Sequence, residues 1–275
     1  MEELVFLKLG GSLITDKTQR YVSRPDRLLT LAAEIREALA DAARLRLVLG
    51  HGSGSFGHFA VFEHLDPSKY PSTQQARPRS ETAYWKGVSE VWYRASQLNR
   101  HVIDALHEAG VPSVSLAPSA CVTSQGGKIA GWESQPLRAA LASGLLPVIF
   151  GDIVFDALLG SKVLSTEVLM WHLAQELRPS RILLAGLEEA VWGDLATRSS
   201  PISRITPANF GAVAGKIGAS HGPDVTGGMK SKVEEMLALV KAIPGLQVQI
   251  FSGAVPGNLR RALGGETLGT TITSD

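Results

Sequence analysis

The chain has 275 residues, 44% hydrophobic and 19% charged, which supplies a sizeable buried core and excludes global disorder. Its 27 basic and 26 acidic residues leave a formal net charge of +1, so no bulk charge draws it to nucleic acid or to an anionic membrane, and any anion site must be local. The lone cysteine, Cys121, excludes an internal disulfide and leaves no cysteine cluster for a metal. The acidic N-terminus runs straight into an apolar strand pattern with no basic n-region, and no apolar run reaches the roughly 18 residues of a membrane span. These features predict a soluble cytoplasmic protein with no membrane insertion.

In chain order, residues 4–9 form a short apolar strand pattern, and residues 26–43 repeat Leu28, Ala32, Ile35 and Leu39 at helical spacing. Residues 45–49 are again strand-like. Residues 60–86 carry Pro67, Pro71 and Pro78 among polar residues and predict a long lid or binding loop. Val88, Val91, Ala95, Leu98, Val102 and Leu106 then mark a long helix stopped by Gly110 and Pro112. Strands follow at 114–116, 146–150 and 182–185. Residues 193–227 are rich in Gly, Pro, Ser and Thr, an amphipathic helix carries Met229, Val233, Met236, Leu237 and Val240, and a strand covers 248–251. Repeated β-α-β order with apolar strands predicts one large α/β domain, a mostly parallel sheet with helices on both faces.

Three glycine-rich segments punctuate this pattern. Lys8-Leu9-Gly10-Gly11-Ser12 follows the first strand, where paired glycines bring backbone N–H groups close to phosphate oxygens and Lys8 adds a positive charge. Lys17 lies nine residues on, in a polar stretch able to fold back over the same place. Gly50-His51-Gly52-Ser53-Gly54-Ser55-Phe56-Gly57-His58 begins where the second strand ends, the position at which open α/β sheets bind ligands. It lacks the Gly-Lys-Ser/Thr ending of a Walker A loop. Gly52 to Gly57 do fit the dinucleotide spacing, but no acidic residue closes the next strand to take a ribose. His58 closes the loop and is better placed for an anion than His51, which reads as a structural histidine.

The third segment, Asp224-Val225-Thr226-Gly227-Gly228-Met229-Lys230-Ser231-Lys232, leads into a helix N-terminus, which favours a phosphate. Lys232 is positioned to reach that phosphate, whereas Lys230 falls on another side of the helix. Two carboxylates stand near these cations. Asp152 follows Gly151 and reads as a site residue or a turn residue. Glu167 reads as a helix cap or as the anchor for Lys8 and Lys232.

Lys8-Leu9-Gly10-Gly11-Ser12-Leu13-Ile14-Thr15-Asp16-Lys17, Gly54-Ser55-Phe56-Gly57-His58, Gly151-Asp152, and Asp224 to Met229 followed by Lys232 occur in an order that resembles the amino acid kinase superfamily, and within it the isopentenyl phosphate kinase family. The resemblance spans nearly the whole chain, and the His58 loop is its most specific part. It implies an open three-layer αβα sandwich with a mostly parallel central sheet, residues 1–170 forming an acceptor-binding lobe and residues 171–275 a nucleotide-binding lobe, and a homodimer. It implies transfer of the ATP γ-phosphoryl group, with Mg²⁺, to isopentenyl phosphate in isoprenoid biosynthesis. By analogy Lys8, Gly10, Gly11, Ser12, Gly54, Gly228 and Lys232 hold ATP phosphates. Ser53, Gly54, His58, Gly151 and Asp152 hold the acceptor phosphate, and Lys8, Lys17, His58 and Lys232 form the catalytic set, with no protein-bound metal.

The acceptor's tail would meet apolar residues such as Tyr84, Val88 or Val91. The chain departs from the family at Gly52-Ser53-Gly54, where three glycines are usual, at residues 184–193, where an Asp-rich turn is usual, and at Glu167, where an aspartate is typical. Two other readings stay open from the residues: a kinase for a fosfomycin-like phosphonate or other small alkyl monophosphate, and a catalytically dead nucleotide-binding regulator.

Overall fold

A computed structural model describes residues 2–65, 82–194, 197–215, 217 and 228–275. The chain opens with β1 (Glu3–Leu9), buried from Val5 onward, and a single turn of helix, α1 (Gly11–Ile14). Next comes α2 (Pro25–Asp41). Pro25 sits in its first turn, where a missing N–H costs nothing, and Leu28, Leu31, Ala32, Ile35 and Ala38 form its buried stripe. β2 (Leu45–His51) feeds α3 (Gly54–His64), and α4 (Thr82–Glu108) follows.

The predicted loop over residues 60–86 is therefore corrected at both ends. Residues 60–64 complete α3 and residues 82–86 begin α4, while 66–81, with all three prolines, lie outside the described residues. Tyr84 continues the apolar spacing of Val88 and Val91 backwards onto the same buried face, and that burial fixes the helix start.

β3 (Ser113–Ser115), α5 (Pro118–Cys121), β4 (Val122–Gln125), β5 (Lys128–Trp132), α6 (Gln135–Ala142) and β6 (Leu146–Phe150) come next. A hairpin of β7 (Asp152–Asp156) and β8 (Gly160–Leu164) leads to α7 (Thr166–Leu177) and β9 (Arg181–Gly186). The segment rich in small and polar residues holds β10 (Val191–Asp194), β11 (Ser199–Ile202), β12 (Arg204–Ile205) and α8 (Phe210–Val213). Finally α9 (Gly228–Ala242), β13 (Gln247–Ser252), α10 (Asn258–Leu263) and β14 (Thr270–Ile272) complete the described chain.

Among the described residues the main sheet has the order β12-β14-β13-β9-β1-β2-β6-β3. Its pairings are parallel except for β13 with β14. Alternate side chains of β1 go to opposite layers. Val5, Leu7 and Leu9 pack with α2, α4 and α10, and Phe6 packs with α7 and α9, so the predicted three-layer α/β sandwich is the observed one. Lys8 shares the Phe6 side of the strand. No helix among the described residues is long and apolar enough to cross a membrane.

A second sheet, β5-β4-β7-β8, stands beside the main one and has no counterpart in the sequence reading. Asp156 ties its two turns together. One carboxylate oxygen accepts the N–H groups of Gly126, Leu158 and Leu159 at 3.0, 2.9 and 2.8 Å, and the other accepts Gly127 N–H at 2.8 Å and Ser124 Oγ at 2.7 Å. Burial pushes its pKa up, but these donors prevail and hold the carboxyl well below the usual range.

A depressed folded-state pKa contributes stability that is complete above the unfolded value and lost as pH falls toward the folded one. Asp156→Asn is accordingly expected to cost about 2 kcal/mol at pH 7. That difference should shrink once pH drops below about 4, which urea unfolding at pH 7 and pH 3 checks.

Candidate active site

The carboxyl ends of β9, β1, β2 and β6 lie side by side, with Leu9 paired to His51 and to Ala185, and His51 paired to Phe150. The turns leaving β1, β2 and β6 carry Gly10 and Gly11, Gly52 to Gly54, and Gly151, and β9 ends on Gly186, so the first two glycine segments converge at the carboxyl end of the parallel sheet. Backbone hydrogen bonds extend the ladder into these turns: Gly10 N–H to Ala185 O at 2.8 Å, Gly52 N–H to Leu9 O at 3.0 Å and Gly151 N–H to His51 O at 3.1 Å.

The first two turns meet backbone to backbone. A Cβ at Gly11 would stand 2.6 Å from both Cα and N of Gly54, a distance only glycine avoids. Gly54 itself has φ 51, and a Cβ there would strike Thr15 Oγ1 at 2.3 Å. Thr15 pins the junction, donating to Gly11 O at 2.7 Å and accepting Ser55 N–H at 3.0 Å. Such contact keeps side-chain bulk out of the junction of the two turns, which suits close approach of a polyphosphate to the backbone.

Under this junction Lys8 is only 8% exposed and forms an ion pair with Glu167 in the first turn of α7. Burial pushes the Lys8 ammonium below its usual pKa, and Lys232 adds repulsion, while Glu167 opposes both. Burial pushes the Glu167 carboxyl up, but Lys8 and Lys232 outweigh it and hold the group low. Glu235, three residues beyond Lys232 on α9, interacts electrostatically with the same three charges. Ser165, two residues before Glu167, caps α7 through Val168 N–H at 3.2 Å, and the Glu167 carboxylate pairs with Lys8.

The predicted site residues are placed as follows. Lys8, Gly10, Gly11, Ser12 and Gly54 gather at the junction just described, and Gly228 opens α9 with Lys232 half-buried on it. Residues 224–227 lie outside the described residues. Ser53 immediately precedes α3, its N 3.6 Å from where a Cβ of Gly151 would stand, so these two backbones flank one space. His58 is half-buried on α3, four residues after Gly54. Lys17 is exposed on the loop between α1 and α2.

Asp152 is different. It is 1% exposed, and its carboxylate accepts Ser119 N–H at 3.0 Å and Ile153 N–H at 2.8 Å. Its oxygens are engaged in joining α5 to β7. Burial pushes its pKa up against these hydrogen bonds.

His51 is fully buried, stacked on Phe150 with ring centroids 5.5 Å apart, and its Nε2 lies 3.2 Å from Asn99 Oδ1. Burial pushes its pKa down to about 4, so it is a neutral, structural group. Sequence reasoning missed Thr15, although the first motif contains it. It also missed Thr166, whose hydroxyl donates to His51 O at 2.6 Å and fixes α7 to the end of β2. A threonine directly before the noted Glu167 was the available signal. In the 184–193 segment, Glu188 accepts Trp192 Nε1–H at 2.9 Å and pairs with Arg198 at 3.0 Å.

A buried lysine–carboxylate pair beneath apposed glycine turns, at the ends of parallel strands, fits a phosphoryl-transfer enzyme. Residues 3–252 match the amino acid kinase family, and the chain belongs to that family, whose kinase members are ATP-dependent phosphotransferases. It is 34% identical over 98% of its length to the isopentenyl phosphate kinase of Methanothermobacter thermautotrophicus, covering 99% of that protein. It is 35% identical over 99% of its length to the isopentenyl phosphate kinase of Haloferax volcanii, covering 99% of that protein. A solved structure of an isopentenyl phosphate kinase superposes with a TM-score of 0.81 at 30% identity, over 98% of this chain and 100% of that one.

Removing one partner of a buried ion pair strands the other. Glu167→Gln is expected to cost about 3 kcal/mol of stability, read by urea unfolding. The same variant should lower kcat at least tenfold, because a Lys8 without its counter-charge no longer keeps its position or full protonation.

Proposed function

We propose that the chain transfers the γ-phosphoryl group of ATP to isopentenyl phosphate, giving isopentenyl diphosphate and ADP. The observation that carries this reading is the apposition of Gly11 and Gly54 above Lys8, with His58 four residues further along the helix that Gly54 begins. The near full-length likeness to isopentenyl phosphate kinases supports the acceptor.

Two anions have to be brought together, and the work is alignment and charge neutralisation rather than covalent chemistry. Lys8, Gly10, Gly11, Ser12, Gly54, Gly228 and Lys232 hold the nucleotide's phosphates in this reading. Ser53 and Gly54 offer backbone N–H groups to the acceptor phosphate, Gly151 flanks it with backbone free of a side chain, and His58 donates a side-chain hydrogen bond to it. Asp152 serves indirectly by keeping α5 on β7. Lys8, Lys17 and Lys232 neutralise charge on the group in transit. An acceptor phosphate oxygen is already a nucleophile near neutral pH, so no general base is required, and neutral, buried His51 has no part in proton transfer.

Mg²⁺ would arrive with the nucleotide and be held by its phosphates. Among the described residues no cluster of three or more His, Cys, Asp or Glu side chains provides a cage for it. Residues 1–170 carry the acceptor side and 171–275 the nucleotide side, in a cytoplasmic homodimer. Exposed Trp92, Tyr93 and Phe155 support association, and sedimentation equilibrium should return twice the 29.3 kDa chain mass.

ADP release should depend on isopentenyl phosphate and Mg·ATP together. Turnover of phosphonates or other alkyl phosphates alone would overturn the acceptor assignment. His58→Ala should lower kcat/KM for the acceptor by about a hundredfold, because one charge-assisted contact to the reacting phosphate is worth a few kcal/mol. The KM for ATP should change less than threefold in the same steady-state assay, and equal losses for both substrates would remove His58 from its place.

A further inference from the structure

In the proposed reading Lys17 serves the site from an exposed loop, and loops hold a charge in place only when they are fastened. The neck of this one is closed by backbone: Thr15 bridges Ser23, Asp16 N–H donates to Val22 O at 3.0 Å, and Arg24 N–H donates to Ile14 O at 2.8 Å. Its tip is shaped by Asp16, whose carboxylate accepts Thr18 N–H at 2.9 Å and the Thr18 hydroxyl at 2.7 Å. Neither set of bonds ties the tip to the rest of the protein.

Tyr21 does. It has φ 57, the left-handed region that a bulky residue enters only at a cost of about 1–2 kcal/mol. That backbone carries the ring out of the loop and onto α3 and α4. Its phenol donates to Glu63 Oε2 at 2.8 Å, and its ring centroid lies 5.9 Å from Phe56. The Arg94 guanidinium covers it at 4.2 Å. Arg94 Nε is buried with no hydrogen-bond partner among the described residues, so ring stacking is what that part of the group gains in exchange. Glu63 also pairs with Arg20, from the same loop, at 2.9 Å. Burial, with Glu63 adding to it, pushes the phenol's pKa up to about 12, so it remains a donor throughout any assay range.

Glu63 and Phe56 lie on the same helix as His58, one on each side of it in sequence. The ring of Tyr21 therefore ties the Lys17 loop to the acceptor's helix and, through Arg94, to α4.

We propose that Tyr21 is a positioning residue for phosphoryl transfer, its hydrogen bond to Glu63 fixing Lys17 relative to His58. The inference rests on the roles given above to Lys17 and His58. It assigns the tyrosine no contact with either substrate. Its effect is confined to the transition state, when the transferring group lies between the nucleotide and the acceptor and Lys17 must already be in place.

The test is a double-mutant cycle read by steady-state kinetics, with thermal melting as the fold control. Tyr21→Phe keeps the ring and its stacking and deletes only the hydrogen bond. It should lower kcat about tenfold, leave both KM values within about twofold, and barely move the melting temperature. Glu63→Ala should reproduce that loss and not add to it. Lys17→Met alone should lower kcat more, about a hundredfold, and Tyr21→Phe added to it should have no further effect, because the position it maintained is then empty of charge. Losses that multiply in the double variant, or a Tyr21→Phe enzyme with the parental kcat, overturn the inference while leaving Lys17 in place. A Lys17→Met enzyme with the parental kcat instead overturns the role of Lys17, and the inference with it.

Discussion

The Lys8–Glu167 pair is the constraint on which the rest of the site depends. From Leu4 onward β1 is otherwise an apolar strand, and a lysine facing its helix-covered side would shed its proton or unfold the layer unless a counter-charge met it there. Glu167 can stay ionised in that interior for three reasons: Lys8, Lys232, and the N-terminal dipole of α7, in whose first turn it sits. The carboxylate is stabilised from several directions and in turn keeps the lysine charged. Thr166, its neighbour, holds the end of β2 through His51 O. Two consecutive residues of one helix thus fasten the ends of two adjacent strands, and the glycine turns growing from those strands inherit their spacing.

That spacing explains why the two turns can touch. Gly11 and Gly54 meet without side chains between them, and Thr15 bonds to both segments. A site that joins two polyanions has to concentrate donors without concentrating bulk. In the proposed reading the nucleotide side obtains charge from lysines on β1 and α9, whereas the acceptor side draws on backbone groups and one histidine at the start of α3. Both depend on the same junction, so a shift of either turn is felt by both substrates.

The parts of this arrangement that were legible in the sequence are those with local requirements. Glycine pairs after apolar runs, a lysine beside them and a helix opening on Gly228 are demands of a few adjacent atoms, and they stand in the sequence as such. The family likeness then supplied their order. Tertiary decisions were not legible. Nothing near His51 announces that Phe150 and Asn99 will enclose it, or that Asp152 will be spent on Ser119. The second sheet escaped because its strands are short and half polar, and its defining residue, Asp156, works by collecting donors from two turns about thirty residues apart in the chain. Prolines at 67, 71 and 78 drew the predicted loop too wide, where burial of Tyr84 extends the helix instead.

The position of β1 has a consequence for how the molecule comes into being. β1 is a central strand, flanked by β2, which follows it within about fifty residues, but by β9 only from Arg181 onward. During synthesis its β9-facing edge therefore stays open for roughly two thirds of the chain, at translation speeds of about 5–20 residues per second. The lysine it carries waits almost as long, since its partner lies 159 positions away. Closure of the sheet and neutralisation of that charge are then nearly one event, late and non-local, the kind of step that sets slow folding. The same distance that lets one carboxylate organise the catalytic centre makes the nascent chain most vulnerable just before that carboxylate arrives.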